Sequence, residues 1–161
     1  MPQLTRLALC LLAACTAPQP QPAVFRDATA PIYSAAAFDP ARLTGHWVQV
    51  AGFAPQGHAP CGPGAVDFGV QVVWDLCLAS GETRGAAALN AAKPARFDLA
   101  GLPVWWVLWA DADDRTLVIG TPSGTLGFIL NRAAAIPADR LKAARDILRF
   151  NGYDLDTLVV F

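Results

Sequence analysis

The chain has 161 residues, a formal net charge of −1 and a pI of about 6.0. That is one domain's length, enough for a sizeable core, and it lacks the basic excess that a nucleic-acid face requires. Apolar residues make up 54% and charged residues 16%, with a mean hydropathy of +0.36; this suits an apolar leader followed by a barrel that is apolar both inside and around its wall.

Residues 1–14 read as a leader, with Arg6 as the positive end and Leu7 to Ala14 as an apolar run too short to span a bilayer. Leu12-Ala13-Ala14-Cys15 resembles a bacterial lipobox. On that reading the signal is cut before Cys15, which becomes the lipid-modified first residue and carries palmitate or similar chains. The alternative is an ordinary signal peptide with an incidental cysteine. Residues 15–37 then form the lipidated cysteine and its tether, because Thr16 to Pro22 alternates proline with polar residues and stays extended. From Ala23 to Ala37 the pattern is weak and is expected to lead along the surface into the domain. Several acyl chains on one cysteine exceed the marginal anchoring of a single chain. By similarity to lipoprotein sorting, Thr16 in place of Asp after the cysteine favours the outer membrane of a bacterial envelope, facing the periplasm.

Four cysteines divide by address. Cys10 leaves with the leader, Cys15 takes lipid, and Cys61 and Cys77 remain in a compartment that permits disulfides. If these two pair, closing the 16-residue loop is worth about 3 kcal/mol in the chain-entropy account. Two cysteines and two scattered histidines have no metal-ligand spacing, so no metal or cofactor is expected.

The domain spans 38–161. Asp39 and Pro40 suit a short turn before Gly45-His46-Trp47, where strand alternation puts Trp47, Gln49 and Ala51 on one face and Val48 and Val50 on the other. An indole there wants a hydrogen-bond acceptor and a cation over its face, and Arg132 is the candidate cation. Taken alone, Gly-x-Trp is a weak signal, and an ordinary strand start explains it better. Pro55 to Gly64 is a loop by composition. Val66 to Leu78 is apolar at every second residue, either as one strand bent at Gly69 or as a hairpin turning at Gly69 to Gln71. Only the hairpin would let Cys61 and Cys77 meet, and it is the preferred reading. Further strands are expected at 84–89, 95–99, 105–111, 116–121 and 126–132. Pro137 to Phe150 is helical by composition, with Leu141, Ala144 and Leu148 on one stripe and Gly152 as the stop. Leu155 to Phe161 reads as a last strand.

Three segments together carry a resemblance: Gly45-x-Trp47, Trp105-Trp106-Val107-Leu108-Trp109-Ala110-Asp111, and Phe128-Ile129-Leu130-Asn131-Arg132. In this order they resemble the shared segments of lipocalins. The helix followed by Phe150-Asn151-Gly152-Tyr153-Asp154 is similar to bacterial lipocalins related to apolipoprotein D. The resemblance covers about residues 38 to 161. It implies an all-β, eight-stranded up-and-down antiparallel barrel with one C-terminal helix packed outside, shaped as a cup for one small ligand. Gly45, Trp47 and Arg132 match the closed base, and Cys61 and Cys77 match positions bridged in some members. The compact second and third strands depart from the family and imply a shallow cup.

Leu130 and Phe128 share the face of Arg132 by strand parity and should point inward. The resemblance adds Gln49, Ala51, Trp105, Val107, Trp109 and Ile119 as ligand-facing positions, with plain barrel core as the competing reading for each. Gln49 could orient a head group. His46 and His58 have no recognisable catalytic partner, and Asp113-Asp114 reads as a turn, so no catalytic residue is assigned. The expected function is a membrane-anchored lipocalin that binds or carries a fatty acid, a lysophospholipid or a similar hydrophobic molecule. The alternatives are a filled barrel acting as an envelope interaction module, and an enzyme acting on a lipid. Nothing in the sequence indicates an oligomeric state.

Overall fold

The structure, a computed structural model, describes residues 21–161. The leader, Cys10, the lipobox and Cys15 lie outside the described residues. A 3-10 turn, Pro40–Leu43, is capped by the Asp39 carboxylate accepting from the Ala41 N–H, and it leads into β1, Gly45–Phe53. Next come β2 (Ala65–Phe68), β3 (Val72–Leu78), β4 (Gly81–Ala87), β5 (Asn90–Lys93) and β6 (Arg96–Asp98). β7 (Trp105–Ala110), β8 (Thr116–Gly120) and β9 (Gly127–Asn131) complete the wall. Helix α1 (Ala138–Phe150) and the short β10 (Leu158–Val160) follow. The hairpin reading of residues 66–78 holds, with Ala65 opposite Asp75 and Phe68 opposite Val72.

The strands are ordered β4-β3-β2-β1-β9-β8-β7-β6-β5, all paired antiparallel. Counting directions outward from β1, both β4 and β5 run opposite to it, and only Ala88 and Leu89 separate them. They are therefore two halves of one bent strand that pairs first with β3 and then with β6. Counted this way the wall has the eight strands the sequence implied; the second half, β5, is the part that the small residues Ala91 and Ala92 left unread. β10 sits outside that path and pairs with β1, Ala51 opposite Val160 and Phe53 opposite Leu158.

Two apolar clusters follow from the two faces of this wall. Inside the barrel are Trp47, Val66, Val72, Trp74, Leu76, Phe97, Trp105, Val107, Ile119, Phe128 and Leu130, with Leu43 and Phe38 brought in from the 3-10 side. Outside, α1 packs on β7 and β8, and its fully buried Ala144 and Leu148 join a cluster with Val50, Leu108, Val118 and Ile129. Leu141 packs half-buried on the same cluster, as its stripe predicted. Strand β7 is apolar on both faces for this reason.

The lead-in to the domain is more firmly packed than its sequence suggested. Phe25 and Arg26 are buried, and Phe25 stacks on Phe53. The Phe25 N–H donates to Gly124 O at 2.9 Å, and its carbonyl accepts from Asp154 N–H at 2.8 Å. The Arg26 guanidinium donates to three carbonyl oxygens, those of Asn151, Pro122 and Ala30. Farther along, Arg96 stacks on Trp106 at 3.7 Å and donates to Ser34, holding the segment against the outer wall.

Tyr153 locks the helix end to the β8–β9 loop. Its hydroxyl accepts from Thr121 N–H at 2.8 Å and lies 2.8 Å from Leu126 O and 3.2 Å from Thr121 O, either of which can take its proton. Burial pushes this phenol up to about 12, against the opposing pulls of the Thr121 hydrogen bond and the Arg26 charge. The raised value means that stability is fully present below the unfolded-state value of about 10 and is lost as pH climbs from there toward about 12. Wild type should lose about 1.3 kcal/mol more than Tyr153→Phe between about pH 9 and about pH 11, roughly half of the full difference reached once the folded phenol ionises as well. Denaturant unfolding of both proteins at about pH 9 and about pH 11 checks this; parallel losses would mean that the phenol ionises equally in both states.

Candidate functional site

Trp47 is fully buried, and its indole N–H donates to Leu43 O at 2.6 Å. The Arg132 guanidinium lies over the ring with 3.7 Å to the centroid. It also donates to the carbonyls of His46, Arg42 and Asp114 at 3.2, 3.1 and 3.3 Å, so one side chain ties together β1, the 3-10 turn and the β7–β8 turn. Burial draws its ionisation below the usual guanidinium range, partly offset by Asp114. Gly45 has φ +102, a backbone conformation that favours glycine, and a Cβ there would stand 3.1 Å from Arg132 Nη1 and press on the guanidinium. The three residues assigned to the base do meet there.

With the base fixed, strand direction puts the other end of the barrel at the β1–β2 loop, the β3–β4 turn, the β6–β7 loop and the β8–β9 loop. A depression of about 590 Å³ opens at this mouth. It is lined by Leu78, Leu102, Leu126, Thr83 and Pro103 among others, with Gln21 to Ala23 along one side, and no charged side chain lines it. Leu78, Leu102 and Leu126 belong to or pack on the interior cluster, so the floor of the depression is the top of the core.

The positions expected to face a ligand divide into three groups. Trp105, Val107, Ile119, Phe128 and Leu130 do point into the barrel, but each is fully buried in packed core and none lines the mouth. Ala51 and Trp109 face outward, into the cluster beneath the helix. The cause is the same for both. The ladder slips between Gln49 and Ala51 in β1 and between Val107 and Trp109 in β7, and each β-bulge inserts one residue that reverses the alternation beyond it.

Gln49 points inward, and its amide is bonded to the backbone of Cys77. Its Nε2 donates to Cys77 O and its Oε1 accepts from Cys77 N–H, both at 2.8 Å. β2 is only four residues long, and its last pairing with β3 is Ala65 with Asp75, so Cys77 has lost its neighbour strand on that side. A primary amide carries the same donor and acceptor as a peptide group, and Gln49 supplies the missing ladder step. Gly64 gives it room: a Cβ there would stand 2.1 Å from Asp75 O and 2.8 Å from Gln49 Oε1. The disulfide Cys61–Cys77, with Cα atoms 5.6 Å apart, fastens the β1–β2 loop to the same residue. Gln49 therefore braces the rim, with one donor and one acceptor of its amide spent on the Cys77 backbone.

Two buried indole N–H groups, those of Trp74 and Trp105, have no hydrogen-bond partner among the described residues. Leaving such a donor dry costs about 1–3 kcal/mol, so these are the interior atoms that would most favour an acceptor oxygen. His46 Nδ1 meets the Asp67 carboxylate at 2.8 Å on the exposed outer face, away from the mouth. Asp114 belongs to the β7–β8 turn and pairs with Arg42. No group of three or more His, Cys, Asp or Glu among the described residues is arranged to hold a metal ion. The sequence reading missed the mouth residues, although a signal existed: once Gly45 and Arg132 mark the base, the apolar residues flanking the opposite turns, Leu78, Leu102 and Leu126, are the rim.

An eight-stranded antiparallel barrel closed at one end by an arginine on a tryptophan, with a helix on its wall, defines a class of small cup-shaped barrels. The chain has the lipocalin fold, and its C-terminal part, residues 91–161, matches the family model described as a lipocalin-like domain. Among solved structures it is similar to the major allergen Per a 4 from cockroaches, at 11% identity and a TM-score of 0.59, over 82% of this chain and 93% of that one. It is also similar to the siderocalin Ex-FABP, described as functioning through dual ligand specificities, at 12% identity and a TM-score of 0.55, over 74% and 93% of the two chains. At such identities the likeness is one of fold. No curated protein matches the chain.

Two outcomes test this geometry. Trp47→Ala should destabilise by about 3–5 kcal/mol, and Arg132→Ala by less, with the double variant clearly less destabilised than the sum because the side chains touch. A urea double-mutant cycle reads this, and additivity within error would deny the stacking. Gln49→Leu should cost about 2–4 kcal/mol by leaving both polar groups of Cys77 unpaired, and Gln49→Glu should rescue none of it because it loses the donor and buries a charge. Unfolding under non-reducing conditions measures both, and a Gln49→Leu variant as stable as wild type would show that the brace carries nothing.

Proposed function

We propose that this protein is a membrane-anchored lipocalin that binds a small hydrophobic ligand, such as a fatty acid or lysophospholipid, at the mouth of its barrel. The observation that carries the reading is the depression of about 590 Å³ over an apolar floor, with no charged side chain in its lining. A space of that size falls within the range of small-molecule sites. The lipocalin fold supports a binding role. The anchor rests on Leu12-Ala13-Ala14-Cys15 and the proline-rich tether that follows, which together favour a place in the bacterial envelope on the outer membrane.

With the interior packed, a chain can enter only as far as Leu78, Leu102 and Leu126 allow. Affinity then comes from burying methylene groups, at about 0.8 kcal/mol each, and reaches its ceiling once the shallow mouth is full. The lining offers no cation for a carboxylate. A second reading, a filled barrel that acts as an interaction module, is favoured by the complete burial of Trp105, Val107, Ile119, Phe128 and Leu130.

Titration with fatty acids of about ten to eighteen carbons and with the matching alcohols, followed by tryptophan fluorescence or calorimetry, separates the two. The expected result is affinity that rises with length and then levels off, with acids and alcohols alike. Leu102→Asp should weaken binding at least about tenfold by putting a charge on the apolar rim. Binding confined to the acids would reject the apolar-burial account, and no binding at all would favour the interaction module.

A further inference from the structure

The described chain begins at the mouth. Gln21, Pro22 and Ala23 lie along the depression, and the next residues are fixed there. Phe25 is hydrogen-bonded on both sides, to Gly124 of the β8–β9 loop and to Asp154 beyond the helix. Arg26 is buried, and its guanidinium is held by carbonyls from three separate places, at Pro122, Asn151 and Ala30. The exit point of the N-terminal segment is thus part of the packed body. From there the chain passes down the outer wall to the 3-10 turn at the base and only then enters β1.

This arrangement limits how the barrel can sit on a membrane. Gln21 stands six positions after Cys15. At the maximal reach of about 3.3–3.6 Å per residue, those six positions span about 20 Å. β1 alone has nine residues, about 30 Å of strand, or about 23 Å of barrel height after the usual tilt, and the turns at the base add to that. With Gln21 to Ala23 seated along the mouth, a cysteine embedded in a bilayer brings the mouth to the surface, while the extended segment from Cys15 to Gln21 falls short of the base.

We propose that the mouth is a membrane-docking face, with the rim seated on the lipid bilayer that holds the anchor and the base turned away. The chemistry of the rim agrees with the geometry. Val24 and Val104 are exposed beside Ala23 and Pro103, and the lining between them is uncharged. An apolar ligand passing between bilayer and barrel would then never cross open water. The occupant is a lipid surface met through apolar contact and the anchor, not through a basic patch. This inference rests on the lipobox reading of Cys15.

The test uses the full chain, acylated and reconstituted into phosphatidylcholine vesicles that contain brominated phosphatidylcholine. Val104→Cys at the mouth and Val70→Cys on the β2–β3 turn at the base each add one exposed thiol for a bimane label, with Cys61–Cys77 intact and Cys15 acylated. Brominated lipid should quench the label at position 104 several-fold more strongly than the label at position 70. Inserting about twenty residues of Gly and Ser after Pro20 should reduce that contrast, since the tether would then reach the base. Parallel palmitate labelling of wild type and Cys15→Ala reports on the anchor itself. If wild type takes up no palmitate, the anchor reading falls and this inference with it. If it takes up palmitate but the two labels are quenched alike, or position 70 more strongly, the anchor stands and the orientation is wrong.

Discussion

One guanidinium lying on one indole sets the polarity of this barrel. Arg132 covers the face of Trp47 and at the same time satisfies carbonyls from β1, the 3-10 turn and the β7–β8 turn. Because a buried indole and a half-buried cation each remove the other's cost of leaving water, the end of the barrel where they meet becomes the shut end. Every strand direction is then decided, and so is which four connections surround the opening. The apolar floor made by Leu78, Leu102 and Leu126 follows from that choice.

The opening has its own brace, independent of the base. Cys77 is held three ways: by the Gln49 amide, by the disulfide to Cys61, and by its pairing with Glu82 across the β3–β4 hairpin. Leu78 and Ala79 come directly after it and line the mouth. A rim fixed before any ligand arrives loses less conformational freedom on binding, so a shallow site can retain more of the small burial energy available to it.

Much of this was legible in the residues. The positions of β1, the hairpin of β2 and β3, β7 to β9, the helical stripe and the Trp47–Arg132 pairing all follow from period, turn residues and the motifs in their order. The inward set was legible only where a ladder runs without a bulge. Phe128, Leu130 and Ile119 lie on uninterrupted strands, so parity places them correctly. Ala51 and Trp109 lie beyond the bulges in β1 and β7, and an extra residue in a strand leaves no trace in an alternation of uniformly apolar side chains. The bracing role of Gln49 was hidden for a different reason. Its inward direction was visible, but its partner lies 28 positions away on a strand whose neighbour ends early, a fact of topology rather than of local pattern. The burial of Phe25 and Arg26 was hidden likewise, because their partners sit near the far end of the chain.

The strand that changes partners has a consequence for how the barrel tolerates change. Gly81–Ala87 takes its register from β3, and Asn90–Lys93 takes its register from β6. Ala88 and Leu89 lie outside both ladders, so a shift in one need not be passed to the other. The wall is one continuous sheet whose two end strands, Gly81–Ala87 and Asn90–Lys93, meet at a two-residue seam. A residue added in β8, paired on both edges, would turn every following side chain to the wrong face. The same addition at the seam would be absorbed as slack, making Ala88-Leu89 the place where this wall can change length without losing its inside and its outside.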